Sequence, residues 1–106
     1  MPINSRRIIP NSIGQGKNEE ISYKIDFTKW CRTGNPPTVA TVQLLRQDTG
    51  ADVTVTNCTG ASSILGNQIT TPSIHSLLPD IQYRLNVRGT IDGNILEAWV
   101  IIVGEE

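Results

Sequence analysis

The sequence predicts an all-β fold, an antiparallel β-sandwich of about seven strands preceded by an extended N-terminal arm. Three observations predict it. Apolar and polar residues alternate with period two in several short segments, Thr and Val dominate those segments, and turn signals recur about every ten residues. No segment shows a 3.6-residue period and no internal repeat is present.

The arm comes first. Residues 1–18 carry Arg6, Arg7 and Lys17 and no acid. Pro2, Pro10, Gly14 and Gly16 interrupt the stretch, so neither a helix nor a regular strand is expected in it. A solvated tail has no need of Ile8, Ile9 and Ile13. They favour an arm that orders by lying on a neighbouring subunit over a floppy tail. On this reading, deleting residues 2–16 leaves the domain of residues 19–106 folded.

The elements of that domain follow in order. Ile21, Tyr23, Ile25 and Phe27 alternate with Ser22, Lys24 and Asp26, which is the pattern of a half-buried strand, and Trp30 lies just past its end. Gly34-Asn35-Pro36-Pro37 breaks the chain. Residues 38–46 form the next strand, with Ala40, Val42 and Leu44 inward. Asp48-Thr49-Gly50 turns into a third, where Val53 and Val55 alternate with Thr54 and Thr56. Residues 57–66 read as irregular, and residues 68–77 as a strand interrupted by Pro72. In the clearest strand Ile81, Tyr83, Leu85 and Val87 point one way, and Gln82, Arg84, Asn86 and Arg88 the other. Asp92-Gly93 is a hairpin signal, because a tight primed turn needs positive φ. Residues 97–103 close the domain.

Size and charge bound the function. A chain of 106 residues is one domain, too small to combine a core with a large buried catalytic cavity. Nine basic and ten acidic residues leave a net charge of −1, which argues against a whole-domain grip on nucleic acid. That total divides into +3 on residues 1–18 and −4 on the rest. No apolar run approaches the roughly 18–20 residues of a membrane helix. The N-terminus does not read as a secretory signal, so synthesis in a cytoplasm is expected. Cys31 and Cys58 are then expected as free thiols, and the Asn57-Cys58-Thr59 sequon as coincidental.

No catalytic, cofactor-binding or metal site is expected. His75 is the one candidate base, and no motif fixes a nucleophile or carboxylate beside it. The pairs Glu19-Glu20 and Glu105-Glu106 flank strand ends rather than a cleft. Gly14 and Gly16 lack the third glycine and the preceding strand of a dinucleotide loop. The closing strand is more informative. Leu96, Ala98, Val100 and Ile102 are apolar on one face, and Trp99, Ile101 and Val103 on the other. A sandwich strand normally has one wet face. The second apolar row therefore marks a candidate interface, joined by Ile8, Ile9 and Ile13, unless the chain's own arm covers it. Arg84 and Arg88 read as a solvated face, with contact to an acidic partner surface as the sharper alternative.

Two resemblances add to this. Leu77-Leu78-Pro79-Asp80-Ile81-Gln82-Tyr83 resembles the E–F corner of fibronectin type III domains. The resemblance implies an immunoglobulin-like, fibronectin type III-like sandwich. In it Tyr83 makes a tyrosine corner, its hydroxyl bonding back to the crossing loop, with Leu77 beneath it and Pro79 in the turn. The Trp usual in the second strand of that family is missing here. Residues 20–103 further resemble small immunoglobulin-like virion proteins of tailed bacteriophages and prophages. The resemblance rests on the opening run from Ile21 to Trp30 and on the ending from Tyr83 through Asp92-Gly93 to Val103.

That second resemblance implies a non-enzymatic structural component of a virion, present in several copies or as a homo-oligomer. Its partners would be other virion proteins, with no cofactor, nucleic acid or membrane involved. Capsid decoration is the favoured location, and a neck, tail or fibre-attachment role the alternative. A fibronectin-like adhesion or carbohydrate-binding module, using Trp30 and Trp99, is the further alternative.

Overall fold

The computed structural model describes residues 3–7, 13–27, 31 and 36–106, with the backbone alone for residues 3–7. Trp30, Ile8 and Ile9 lie outside the described residues. The described chain is predominantly β, with a single four-residue helix among the described residues.

The largest sheet forms from the strongest alternation. β9 (Gln82–Ile91) and β10 (Asn94–Glu105) pair antiparallel across a two-residue loop. Asp92 and Gly93 both take positive φ, as a primed turn requires. β4 (Ala40–Arg46) pairs antiparallel with the other side of β9. Leu44, Leu85, Val87, Ala98, Val100 and Ile102 share one face of this sheet and are buried.

The arm departs from expectation. β1 (Ile3–Arg7) and β2 (Ile13–Gly16) are strands, and both run parallel to β10 along its free edge. The prolines explain why this is possible. Pro2 and Pro10 fall outside both strands, so neither removes a ladder donor from them. The β structure is therefore not wholly antiparallel: the large sheet is mixed, in the order β1-β10-β9-β4 with β2 also on β10. The chain's own N-terminal segment thus occupies the β10 edge, and Ile13 packs against the chain's own core. β2 is locked from the side chain as well. Gln15 is fully buried; its Nε2 donates to the Ile74 carbonyl at 2.7 Å, and its Oε1 accepts from the Tyr23 hydroxyl at 2.7 Å. Burial pushes the Tyr23 phenol up to about 12, with Glu19 adding to the effect, so it remains a donor.

A second sheet packs over the first. β3 (Lys24–Asp26), β7 (Gln68–Thr70) and β6 (Ser63–Leu65) form it in the order β3-β7-β6, all antiparallel. Its Ile25 and Ile69, with Phe27 just beyond β3, join the core formed by the large sheet. β5 (Cys58–Thr59) and β8 (Ser73–Ile74) make a short third ladder, and Ile21 bridges to Ile74. The run 68–77 breaks at Thr71 and Pro72, as its proline implies. Residues 57–66, expected to be irregular, instead supply β5 and β6, and Gly66 at positive φ makes the β6–β7 turn.

The strand expected around Val53 and Val55 is replaced by a helical turn, α1 (Thr54–Asn57). Asp52 overrides the β-branched pattern. Its Oδ1 accepts from the Thr54 amide at 2.9 Å and from the Thr54 hydroxyl at 2.6 Å, which turns the chain. Those bonds hold the Asp52 carboxyl below the usual carboxylate range. Val55 is left 95% exposed, the reverse of what a paired strand would do with it.

The corner between β8 and β9 behaves as the motif implies. Tyr83 and Leu77 are buried, Pro79 is half-buried, and the Leu78 amide donates to the Tyr83 hydroxyl at 3.0 Å. Replacing Tyr83 with phenylalanine is expected to cost about 1–2 kcal/mol, because the Leu78 amide then loses its partner. Urea denaturation checks this, and an unchanged midpoint would mean that the hydroxyl contributes nothing.

Candidate interaction surface

The hairpin turn sets the register of the outward face. With Asp92 and Gly93 as a two-residue loop, Arg88 lies opposite Glu97, Asn86 opposite Trp99 and Arg84 opposite Ile101. Thr41, Gln43 and Leu45 of β4 extend the same three rows. This face carries the apolar row that the sequence singled out. Trp99, Ile101 and Val103 are half-buried on it, with Ile95 at its far end.

Charge is organised beside that row. Glu97 is only 6% exposed, which is costly for a carboxylate without partners. Arg88 Nε meets one of its oxygens at 3.3 Å, and Arg84 approaches the other at 3.8 Å. Arg84 also lies over the Trp99 ring, 4.2 Å from its centroid, and its Nε donates to Asn86 Oδ1 at 2.8 Å. One guanidinium thus joins an aromatic ring, an amide and a carboxylate, while two arginines share a single acid. Arg84 and Arg88 are therefore engaged side chains rather than a freely solvated pair.

The remaining sequence candidates are distributed differently. His75 is half-buried, with Nε2 at 2.8 Å from the Thr59 hydroxyl and Nδ1 at 2.9 Å from the Ser76 hydroxyl. Its backbone amide donates to Asn57, so the ring clips β5 to the end of β8. Both ring nitrogens of His75 face hydroxyls, so the geometry is that of a tether rather than of a base backed by a carboxylate. Glu19, Glu20, Glu105 and Glu106 are exposed. Among the described residues, no group of three or more His, Cys, Asp or Glu is arranged to hold a metal ion. No helix among them is long and apolar enough to cross a membrane.

Cys31 and Cys58 are free thiols, both half-buried. Burial pushes the Cys58 thiol up to about 11, with Asp52 reinforcing it, and burial also raises Cys31. Neither has the enhanced acidity of a reactive nucleophile.

Sequence reading missed Glu97 as the centre of the charged group. The signal was present: the Asp92-Gly93 turn alone pairs position 97 with position 88. Gln15 and Asn86 were missed because nothing in a sequence marks a polar residue for burial. Comparison with protein-family models, with curated proteins and with solved structures found no match to this chain.

Proposed function

We propose that this chain is an immunoglobulin-like structural subunit without catalytic activity, docking on a larger protein assembly through the outward face of β9 and β10. The observation that carries the proposal is the half-buried Trp99-Ile101-Val103 row beside the Arg84–Glu97–Arg88 group. Protein interfaces combine these features: an apolar centre with a Trp and Arg at its border. The immunoglobulin-like reading is supported by the strand orders β10-β9-β4 and β3-β7-β6 in facing sheets and by the Tyr83 corner. The resemblance of residues 20–103 to tailed-phage virion proteins supplies the setting, with capsid decoration favoured over a neck or tail position. Partners are other virion proteins, and the subunit is present in many copies.

Ile101→Lys and Val103→Lys test the face without touching the buried side of the sheet. Each is expected to reduce incorporation into purified particles about tenfold or more while the melting temperature stays within a few degrees. Unchanged incorporation would remove the face from the proposal. Quantitative mass spectrometry of the particles gives the location: a copy number near that of the major capsid protein supports decoration, and six or twelve copies support the neck or tail.

A further inference from the structure

The outward face of β9 and β10 has an apolar middle and two unlike ends. Along β10, Trp99 and Val103 flank Ile101 on this face, with Glu97 and Glu105 one outward position further on either side. At the Glu97 end, Arg88 spends only its Nε on the carboxylate, and its side chain is 43% exposed. Its terminal nitrogens meet no acceptor among the described residues. Asp52, which lines a cleft with Arg88, is held instead by Thr54 and Gln43. At the other end the charge is reversed. Glu105 is exposed, its carboxylate lies over Gly14, and it forms no ion pair among the described residues. Asp80, whose amide donates to the Gly104 carbonyl, adds a second exposed acid there.

An open guanidinium and an open carboxylate, equally far from the middle of an apolar row, make this face complementary to itself. We propose that its occupant is a second copy of this chain. The two sheets pack face to face about a two-fold axis that crosses β10 at Ile101, perpendicular to the strands. β10 then lies antiparallel over its counterpart, Trp99 stands over the second copy's Val103, and Arg88 reaches the second copy's Glu105. An axis along the strands would instead stack Glu97 on Glu97 and Glu105 on Glu105, which sets like charges together. Arg84 avoids its own symmetry mate. It leans back over Trp99, 4.2 Å from the ring centroid, and toward Glu97. The two Arg84 guanidiniums therefore lie on opposite sides of the axis.

The dimensions set the strength. At about 3.4 Å per residue the row from Glu97 to Glu105 is about 27 Å long, and three strands make it about 14 Å wide. That is on the order of 400 Å² per copy, about half of a standard interface, so the free dimer is weak. The inference rests on the docking reading above and names the partner: contacts between copies of the chain occupy the face.

Sedimentation equilibrium of the whole chain, from about 5 μM to about 1 mM, tests it. A monomer–dimer equilibrium with Kd on the order of 100 μM is expected, weakening about threefold between about 50 and about 500 mM salt. Ile101→Lys weakens it about tenfold or more. Arg88→Gln and Glu105→Gln each weaken it about fivefold, and the double variant little further than either, because the two groups act as one pair. All three positions are on the outward face, and circular dichroism checks that each variant keeps its fold. A parent chain that is monomeric at about 1 mM overturns the second copy as occupant. Loss of particle incorporation in Ile101→Lys would then leave the docking face standing with a different partner. A dimer indifferent to Ile101→Lys overturns the placement on this face, and additive losses in the double variant overturn the Arg88–Glu105 pairing.

Discussion

Gly104→Ala is expected to destabilise the protein by about 4 kcal/mol or more. Gly104 is buried near the end of β10, directly under the loop that leads into Tyr83. A Cβ at this position would overlap the Leu78 carbonyl oxygen, with Leu77 Cβ also within contact distance. The obstacle is backbone, so it cannot swing aside as a side chain would. Retreat is also closed. The Gly104 amide donates to the Ile81 carbonyl at 2.9 Å, and its carbonyl accepts from the Asp80 amide at 2.9 Å. The same loop carries the Leu78 amide that holds the Tyr83 hydroxyl, so a shift at Gly104 disturbs both. Gly14→Ala is the control. The nearest atoms to its Cβ are the carboxylate end of the exposed Glu105 side chain, which can rotate away. Chemical denaturation of the two variants checks the contrast. A Gly104→Ala protein as stable as the parent would show that the corner is not closed against β10.

Gln15→Leu is expected to cost about 3–4 kcal/mol despite its similar volume. The substitution removes the acceptor of the Tyr23 hydroxyl and one of two donors to the Ile74 carbonyl, which keeps the Ile21 amide, and it leaves an apolar group in a polar buried site. Combining it with Tyr23→Phe is expected to recover about 1–2 kcal/mol, because the orphaned hydroxyl is then gone. Additive effects in that double-mutant cycle would show that the two groups are not coupled. Deletion of residues 2–16 is a larger perturbation of the same kind. It strips β1 and β2 from β10, removes Gln15 from beneath Ile74, and exposes an unpaired strand edge. The shortened chain is expected to lose its cooperative thermal transition, which circular dichroism would follow. The arm is two strands of the large sheet, and this deletion tests the expectation that residues 19–106 fold alone.

The two halves of the chain differ in how much of this was legible. From Gln82 onward the alternation is regular, the turn residues demand positive φ, and the strands fall where the pattern places them. Ala40, Val42 and Leu44 are likewise inward as their period implies. Three regions read differently in three dimensions. Residues 3–16 seemed too broken for strands, yet an existing edge on β10 can order short segments that lack any intrinsic preference. The Val53–Val55 alternation lost to a carboxylate one residue earlier, because Asp52 bonds the Thr54 amide and hydroxyl together. Residues 57–66 looked irregular since two- and three-residue strands leave almost no periodic trace.

For the candidate surface, the sequence alone determined that the closing strand is apolar on both faces, that Arg84 and Arg88 share a face, and that Tyr83 belongs at a corner. These follow from side-chain alternation and turn chemistry, which act over a few residues. Tertiary structure alone decided that Gln15 and Asn86 are buried, that Glu97 sits between two arginines, and that Arg84 lies over Trp99. Each of these depends on which strands become neighbours. Neighbour choice is settled by competition among all the edges and apolar faces of the chain at once, and no local pattern carries that information.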